Sequence, residues 1–301
     1  MNVLVLGASG MLGHVVFRVL AETTGWQVYG SVRTAATREL FHGRLAERTV
    51  VSGDLQELQA LSRLIEGVAP DVVINCLSLP RDEMREGNAQ KVFLNLALLP
   101  RRMAHACAAR GARLVHISSD AVFAGARGGY REDDSPDAED VYGIAKILGE
   151  AEGAHAISLR TSMIGHELRG SAGLLEWFLS QQGACRCYAR AILSGLPTPE
   201  LARIIRDVVL PRPDLSGVYH VASRPIAKCE LLRLIADEYG KSIQLIPDDG
   251  VVIDRSLNAD RFRAATGYQA PEWPELIRAM HADHLQHEGQ GAHTSIRQGS
   301  H

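Results

Sequence analysis

Short apolar runs alternate with longer amphipathic stretches over the first 160 residues of the chain. The run at 72–76 (VVINC) is apolar at nearly every position, which is typical of a parallel strand that helices cover on both faces. The longer stretches repeat their apolar positions at helical spacing. The pattern predicts strands at 3–6, 27–32, 49–52, 72–76, 113–118 and 156–160, and helices at 11–22, 55–66, 82–110 and 141–153.

The order of these elements predicts the fold class. Parallel strands joined by crossover helices form right-handed units, and a series of them makes an α/β, Rossmann-type doubly wound parallel sheet. The alternation loosens after residue 160, where helices are predicted at 174–181, 199–210, 228–239 and 272–286 and strands at 218–222 and 242–246. We therefore expect a cofactor-binding sheet domain at 1–160, a smaller mixed α/β C-terminal substrate domain at 161–288, and a flexible tail at 289–301.

Composition and charge narrow the class of partner. The chain has 301 residues, 46% of them hydrophobic and 22% charged, as in globular proteins rather than disordered ones. A formal net charge of -3 provides no global field that would attract nucleic acid or anionic lipid. Neither a secretory signal nor a run of about 18 apolar residues is evident. We therefore expect a cytoplasmic protein with a small-molecule partner, without nucleic acid or membrane binding.

Cysteine and histidine patterns predict neither a disulfide nor a metal site. The five cysteines are odd in number and lie mostly in or beside apolar runs, as reduced thiols do. Cys185 and Cys187 are too close for the usual zinc spacing and are expected on an edge strand. His281, His284 and His287 recur at i, i+3 and i+6, where we expect an exposed polar stripe in preference to a metal cluster.

A strand runs through three glycines into a helix at the start of the chain, in the sequence VLVLGASGMLG. Gly7 can make the sharp turn, Gly10 lets a pyrophosphate approach the backbone, and Gly13 permits close packing of helix on strand. Free N–H groups at a helix start favour an anion. The motif predicts a dinucleotide site, with a ligand-free glycine turn as its alternative. The predicted contacts are Gly7, Ser9, Gly10, Met11, Leu12 and Gly13.

Residues at the ends of the second, third and fourth predicted strands indicate which cofactor binds. The second strand ends in YGSVR, which has no acid for a ribose hydroxyl, whereas Arg33 can pair with a 2′-phosphate. NADP(H) is therefore predicted, with NAD(H) as the alternative, because an arginine here can also be an ordinary solvated charge. Asp54, followed by Leu55, is expected either to accept from the adenine amine or to cap the next helix. Asn75 completes the predicted cofactor contacts.

A second motif, VYGIAK, places Tyr142 and Lys146 four residues apart on one face of a predicted helix. A phenol titrates near pH 10, and an adjacent ammonium is expected to lower the pKa of Tyr142. Ser119 follows the fifth strand, at the edge where open α/β sheets bind ligands, and can hydrogen-bond a carbonyl. We predict Ser119, Tyr142 and Lys146 as catalytic residues, the last two also contacting the cofactor.

These motifs, in this order, resemble the extended short-chain dehydrogenase/reductase superfamily. ISSDAVF at 117–123, YGIAKILGE at 142–150 and LRTS at 159–162 look like the dTDP-4-dehydrorhamnose reductase branch, which typically reads STDYVF, YGxxKxxGE and LRTS. The resemblance extends to about residue 287. Ser119 stands where the branch has a catalytic threonine, and Ala121 replaces its tyrosine. The resemblance implies an oxidoreductase of deoxysugar biosynthesis that reduces a nucleotide-activated 4-keto-6-deoxy sugar with NADPH.

The resemblance also implies roles for single residues. Tyr142 would act as general acid while hydride reaches C4, with Lys146 at the nicotinamide ribose and Ser119 on the carbonyl. A homodimer is one expected assembly. The predicted contacts of the dTDP- or UDP-linked substrate are Ser78, Ser119, Asp120, Arg160, Trp177 and Arg190, with His166 and Arg169 as further candidates.

Other functions on this fold are weaker alternatives. Sugar-nucleotide dehydratases usually carry a Thr-Asp-Glu triplet where this chain has Ser119-Asp120-Ala121, so dehydration is disfavoured. Nucleotide-sugar epimerases of the superfamily generally lack the aspartate. A non-catalytic, NADP-binding regulatory subunit is a further alternative, because relatives of this branch include such a subunit of methionine adenosyltransferase. The intact serine, tyrosine and lysine favour an enzyme.

Overall fold

The apolar runs of the first half form parallel strands in the computed structural model, which describes residues 1–57, 59–84, 86–151 and 153–296. The strands are β1 (Asn2–Leu6), β2 (Gln27–Val32), β3 (Thr49–Val51), β4 (Val72–Asn75), β5 (Arg113–Ile117), β6 (Ala156–Arg160), β7 (Met163–Ile164), β8 (Ala184–Tyr188), β9 (Ala191–Leu193), β10 (Leu196–Pro197), β11 (Gly217–His220), β12 (Ile226–Ala227), β13 (Gln244–Asp248) and β14 (Ile253–Asp254). The α-helices are α1 (Gly13–Ala21), α2 (Ala35–Arg38), α3 (Gly43–Glu47), α4 (Ala60–Val68), α5 (Ala89–Phe93), α6 (Leu99–Ala108), α7 (Val141–Gly149), α8 (Leu174–Ser180), α9 (Thr198–Ile204), α10 (Lys228–Glu238), α11 (Asp260–Thr266) and α12 (Trp273–Ile296).

Seven strands in the described part of the chain form one parallel sheet, in the order β3-β2-β1-β4-β5-β6-β11. Successive residues of β1 face opposite hydrophobic cores, Val3 and Val5 on one side and Leu4 and Leu6 on the other. The predicted fold class, a doubly wound parallel sheet, is confirmed. The strand order reverses between β1 and β4, and sheets of this kind bind ligands beyond the carboxyl ends of such strands.

The second half of the chain continues the sheet of the first half. β11 pairs with β6 from Gly217 opposite Ile157 to His220 opposite Arg160, so the sheet crosses the predicted boundary at residue 160. One hydrophobic core joins α1 to α9, α10 and α12. Small sheets formed by β7 with β10, by β9 with β12 and β14, and by β8 with β13 complete this half. The assignment of separate functions to the two parts stays a prediction.

The longest predicted helix and the C-terminal helix differ most from the prediction. The predicted helix at 82–110 is divided, because short 3₁₀ turns precede α5 and a π-helical turn at Leu94–Leu98 joins α5 to α6. Helix α12 continues to Ile296, so the backbone of the predicted flexible tail is helical to that residue. Residues 297–301 of that tail lie outside the described residues. Among the described helices, none combines the length and the apolar character that a bilayer span requires.

The prediction that all cysteines are reduced is wrong for two of them. Cys187 on β8 and Cys229 on α10 form a disulfide across a sequence separation of 42 residues. Packing of α10 against β8 brings the two thiols together, and spacing along the chain does not reveal such a pair. Cys76, Cys107 and Cys185 are free. Cys185 and Cys187 do lie on a strand of a small sheet, β8 paired with β13.

The three histidines of α12 are half-buried, so the prediction of an exposed polar stripe is wrong. Each is turned toward a neighbouring element by a side-chain contact, which the sequence of the helix alone does not show. The described residues contain no group of three or more side chains that could hold a metal ion. The contacts are His281 Nδ1 with Glu238 (3.3 Å), the His284 ring stacked on His166 (3.4 Å between centroids) and His287 Nε2 with Arg18 (2.8 Å).

Candidate active site

The glycine loop after β1 turns sharply and then packs tightly. Gly7 has a φ of +75°, a conformation that L side chains rarely adopt, and its carbonyl accepts from Gly10 N at 2.9 Å. A Cβ at Gly13 would overlap that same carbonyl, so α1 can approach β1 only through a glycine here. These two glycines therefore have the local roles that the motif predicts.

The start of α1 offers unsatisfied hydrogen-bond donors. Within the described chain, the N–H groups of Met11, Leu12 and Gly13 have no hydrogen-bond acceptor. Leu12 occupies the N-cap position without a side-chain cap, and the first turn carries no acid. Backbone donors at a helix N-terminus bind phosphate groups, so the loop fits the diphosphate of a dinucleotide.

The residues expected around the adenosine differ in their surroundings. Arg33 is exposed and has no ion pair among the described residues, so its guanidinium is accessible to a ligand. The Asp54 carboxylate accepts from Gln56 N at 2.9 Å and so caps a turn, whereas α4 begins at Ala60 with Gln59 at its N-cap, so Asp54 does not cap that helix. Leu55 is buried in the hydrophobic core beside α4. Arg33 thus has the surroundings of a ligand contact, and the side chain of Leu55 does not.

The side chain of Asn75 faces the interior, and the predicted contact of this residue with the cofactor stays a prediction. It is 1% exposed, its Nδ2 lies 3.0 Å from His116 Nδ1, and its Oδ1 accepts from Leu77 N at 3.1 Å. The side chain therefore holds the turn that follows β4. Ser78, three positions further along this loop, is exposed.

Helix α7 carries Tyr142 and Lys146, and contacts at its N-terminus and along its length hold it in place. Asp140 caps it by accepting from Gly143 N at 2.8 Å. A Cβ at Gly143 would overlap the Ala121 carbonyl, so the helix lies directly against the chain that follows β5. Lys146 is buried and donates from Nζ to the Ile117 carbonyl at 2.7 Å. The YGxxK motif thus attaches α7 to the carboxyl end of β5.

The structure brings Ser119, Tyr142 and Lys146 to this strand end. The Ser119 hydroxyl lies beside the Tyr142 side chain, donates to Asp120 Oδ1 at 3.3 Å and accepts from Ala121 N at 3.1 Å. Burial raises the pKa of Tyr142, and the nearby Ser119 hydroxyl only partly offsets this effect. The expectation that Lys146 lowers the pKa of Tyr142 is therefore wrong for the protein as described. Burial lowers the pKa of Lys146 itself to about 8.

Asp120 adds a carboxyl group next to Ser119 and Tyr142. Burial raises its pKa from 3.8 to about 6, although the charge of Arg255 and the hydrogen bond from Ser119 Oγ to Oδ1 at 3.3 Å lower it. The folded protein therefore holds a proton on Asp120 to a higher pH than the unfolded chain does. Because the native state binds more protons between about pH 4 and pH 6, the free energy of unfolding falls as pH rises through this window.

Replacing Asp120 with asparagine is expected to remove the loss of stability that accompanies ionisation of Asp120. We expect the variant to be more stable than wild type by about 1–3 kcal/mol at pH 7, with the difference vanishing below about pH 4. Urea unfolding at both pH values measures it, with Asp249→Asn on an exposed loop as the control. Equal stabilities of wild type and Asp120→Asn at pH 7 would contradict the assignment of Asp120 as a half-buried carboxylate that destabilises the folded protein when it is charged.

Arg160 is part of the internal framework, which corrects its prediction as a substrate contact. It is 4% exposed and binds Glu150 through Nε at 2.7 Å and Nη2 at 2.8 Å. Ser118 Oγ donates to the same carboxylate at 2.8 Å. The three residues join the LRTS, YGxxKxxGE and SSD motifs beneath the site. Their shared role is therefore to hold these three segments together.

Trp177 and Arg190 are the remaining predicted substrate contacts in the second half. Both are exposed, Trp177 on α8 and Arg190 between β8 and β9. In the described part of the chain, no hydrogen bond or ion pair joins either of them to Ser119 or Tyr142. Their roles stay predictions.

Arg255 was missed by the sequence analysis, although it lies beside the site. Its charge acts on both Asp120 and Tyr142, and its Nη2 is 3.7 Å from Asp140. It follows β14, more than a hundred positions beyond Tyr142 in the chain. No local motif marks it, because only the packing of the second half brings it to α7.

Comparisons with known proteins agree with the fold and the motifs. The family model of the RmlD substrate binding domain matches residues 1–283. The chain is 28% identical to methionine adenosyltransferase 2 subunit beta of Danio rerio over 265 residues, 82% of this chain and 76% of that protein. It is also 28% identical to the probable low-salt glycan biosynthesis reductase Agl14 of Haloferax volcanii over 277 residues, 88% of this chain and 87% of that protein.

Solved structures with the same fold include reductases. A hypothetical dTDP-4-dehydrorhamnose reductase from Sulfolobus tokodaii superposes with a TM-score of 0.74 at 25% identity, over 91% of this chain and 98% of that one. The dTDP-4-dehydrorhamnose reductase of Bacillus anthracis, solved in complex with NADP, gives a TM-score of 0.76 at 20% identity, over 94% and 99%. With the family match over residues 1–283, these findings show that the chain belongs to the RmlD substrate binding domain family of the extended short-chain dehydrogenase/reductase superfamily, as its motifs predict.

Proposed function

We propose that this chain is an NADPH-dependent reductase of a nucleotide-activated 4-keto-6-deoxy sugar, similar to dTDP-4-dehydrorhamnose reductase. The observation that carries the proposal is that Ser119 and Tyr142 meet at the end of β5, with Lys146 bound to the same strand end. The Tyr142 phenol as proton donor, the Ser119 hydroxyl as hydrogen-bond donor to a substrate carbonyl, and the Lys146 ammonium thus lie at the same edge of the sheet as the glycine loop. Membership of the family supports this reaction class.

NADP(H) is the proposed cofactor and NAD(H) the alternative. The loop from Gly7 to Gly13 supports a diphosphate site because it combines free N–H donors with a helix start. The exposed Arg33 supplies a cation where a 2′-phosphate would lie. When bound, the reduced nicotinamide supplies the hydride.

Tyr142 is the proposed general acid. Burial raises the pKa of its phenol, so the proton is held at neutral pH, as a donor to a developing alkoxide requires. The Ser119 hydroxyl is proposed to hold the carbonyl oxygen beside the phenol. Lys146 lies one turn further along α7 and is proposed to contact the nicotinamide ribose.

Replacing Arg33 with alanine is expected to raise the Kd of NADPH by a factor of about 10–100, because a charge-assisted contact to phosphate is lost. The Kd of NADH should change little, since NADH has no 2′-phosphate. Fluorescence titration with both cofactors measures this, with the exposed Arg44→Ala as the control. An equal loss of affinity for both cofactors would contradict the proposed role.

The reaction itself is tested with purified protein, NADPH and a panel of dTDP- and UDP-linked 4-keto-6-deoxy sugars. We expect NADPH oxidation with at least one of them and a product reduced at C4. Change of configuration without net NADPH oxidation would favour an epimerase instead. A cytoplasmic location and a homodimer stay predictions.

A regulatory subunit is the second candidate function. It is favoured by the 28% identity to methionine adenosyltransferase 2 subunit beta over 82% of this chain. The assembled Ser119, Tyr142 and Lys146 favour the enzyme. Binding of NADPH without turnover across the whole sugar panel would support the regulatory function.

A further inference from the structure

A segment from the second half of the chain, residues 253–257, lies against the loop that follows Ser119. Asp254 N donates to the Gly125 carbonyl at 2.7 Å, and Leu257 N donates to Ser194 Oγ at 2.8 Å. Gly129 N in turn donates to Ser256 Oγ at 2.9 Å. We call residues 253–257 the strap. Its backbone is held on two sides, so the position of Arg255 within it is well defined.

Arg255 reaches from the strap to the N-terminus of α7. Its Nη2 lies 3.7 Å from Asp140 Oδ2, while the other oxygen of that carboxylate caps α7 by accepting from Gly143 N at 2.8 Å. A Cβ at Gly125 would come within 2.9 Å of Arg255 Cγ, so the glycine leaves space for the arginine stem. Asp140 thus contacts both α7, through its cap, and the strap, through Arg255.

The same arginine faces the carboxyl groups around Tyr142. The negative charges of Asp120 and Asp140 raise the pKa of Tyr142, whereas the charge of Arg255 lowers it. Among the charges that act on Asp120, Arg255 has the largest effect, ahead of Lys228 on α10, and Ser119 Oγ donates a hydrogen bond to Asp120 Oδ1 at 3.3 Å. The Nε of Arg255 is buried and has no hydrogen-bond partner within the described residues. Its donor is therefore available on the inner side of the strap.

We propose that Arg255 is a positioning residue of the active site, which couples the strap to α7 through Asp140 and balances the carboxylates of Asp120 and Asp140 beside Tyr142. The second half of the chain then contributes to the proton chemistry as well as to substrate binding. Its effect on catalysis rests on the proposed reductase function. The effect of Arg255 on the pKa of Asp120 does not depend on the reductase function, so the two effects can be tested separately.

The first test is a carboxyl ¹³C NMR titration of Asp120 in the full chain, with the signal assigned through Asp120→Asn. In Arg255→Gln the pKa of Asp120 is expected to rise above its wild-type value by about one to three pH units, while Arg255→Lys retains most of the wild-type value. Arg224→Gln, which removes an exposed ion pair with Glu272, is the matched control and should leave the titration unchanged. An unchanged titration in folded Arg255→Gln would overturn the proposal.

A second measurement needs no change at Arg255. In wild type the ¹H–¹⁵N signal of the Arg255 Nε–H is expected to shift with the Asp120 midpoint, and Asp120→Asn should abolish that shift. An Nε–H chemical shift that does not change while Asp120 titrates would overturn the proposal, even if Arg255→Gln fails to fold.

The catalytic readout is the pH profile of kcat/KM. With an accepted sugar, Arg255→Gln should move the acidic limb of the profile to higher pH and lower kcat more than it raises KM. Arg255→Lys should restore much of the wild-type limb position and of the wild-type kcat. A purely structural role would lower activity without moving the limb. If no sugar is turned over, the reductase proposal fails, and the NMR titrations still decide the role of Arg255.

Discussion

Replacing Tyr142 with phenylalanine is expected to reduce turnover by a factor of about 100 or more, because general acid catalysis contributes that much to such a step. The change removes one hydroxyl from a half-buried ring beside Ser119, so the variant should fold and bind NADPH with an affinity close to wild type. The measurements are kcat with an accepted sugar substrate, the Kd of NADPH and the unfolding midpoint.

The matched control is Tyr188→Phe, which removes a hydroxyl from an exposed tyrosine on β8, 42% of whose surface is accessible. Its turnover should equal that of wild type. Turnover of Tyr142→Phe within a factor of two of wild type would falsify the assignment of Tyr142 as the proton donor. Loss of NADPH binding in the same variant would instead indicate that the phenol is needed to organise the cofactor site.

Replacing Arg160 with methionine is expected to lower the free energy of unfolding by about 3–5 kcal/mol, because it leaves the Glu150 carboxylate buried without its cation. Both side chains are at most 9% exposed, so water cannot replace the lost partner. Ser118 still donates to the carboxylate, which satisfies only part of its hydrogen-bonding capacity. Urea unfolding at neutral pH provides the measurement.

Arg263→Met is the control for this prediction, because Arg263 and Asp260 form an ion pair in which both side chains are more than half exposed. We expect it to cost less than about 1 kcal/mol. The double variant Glu150→Leu, Arg160→Met should lose less stability than Arg160→Met alone, since no unpaired charge remains. A loss below about 1 kcal/mol in Arg160→Met would argue that water reaches the carboxylate, contrary to the burial.

The elements that the sequence predicted best are those with local causes. Gly7 and Gly13 of the first motif act within a few residues of one another, through the φ of Gly7 and the contact of Gly13 with the Gly7 carbonyl. Tyr142 and Lys146 share a face because one helix carries both. The strand order follows from alternating strands and helices, which restrict the sheet to few topologies.

The environments of single polar residues were predicted less well. Arg160 and Asn75 stand at strand ends, where a side chain can face either a ligand or the interior. Both face the interior, because Glu150 and His116 from other segments satisfy them there. The pKa of Tyr142 likewise depends on burial and on carboxylates from several segments, so the neighbouring lysine did not determine its direction.

The sequence by itself determined the parallel sheet, the family and the local chemistry of the glycine loop and of α7, because each depends on residues that are close in the chain. Only the tertiary structure decided which distant groups meet. It placed Arg255 beside Asp120 and Tyr142, paired Cys187 with Cys229, and turned the histidines of α12 inward. Side-chain contacts between distant segments depend on how the helices and small sheets of the second half pack onto the first, and hydrophobic periodicity specifies only which face of each element is buried.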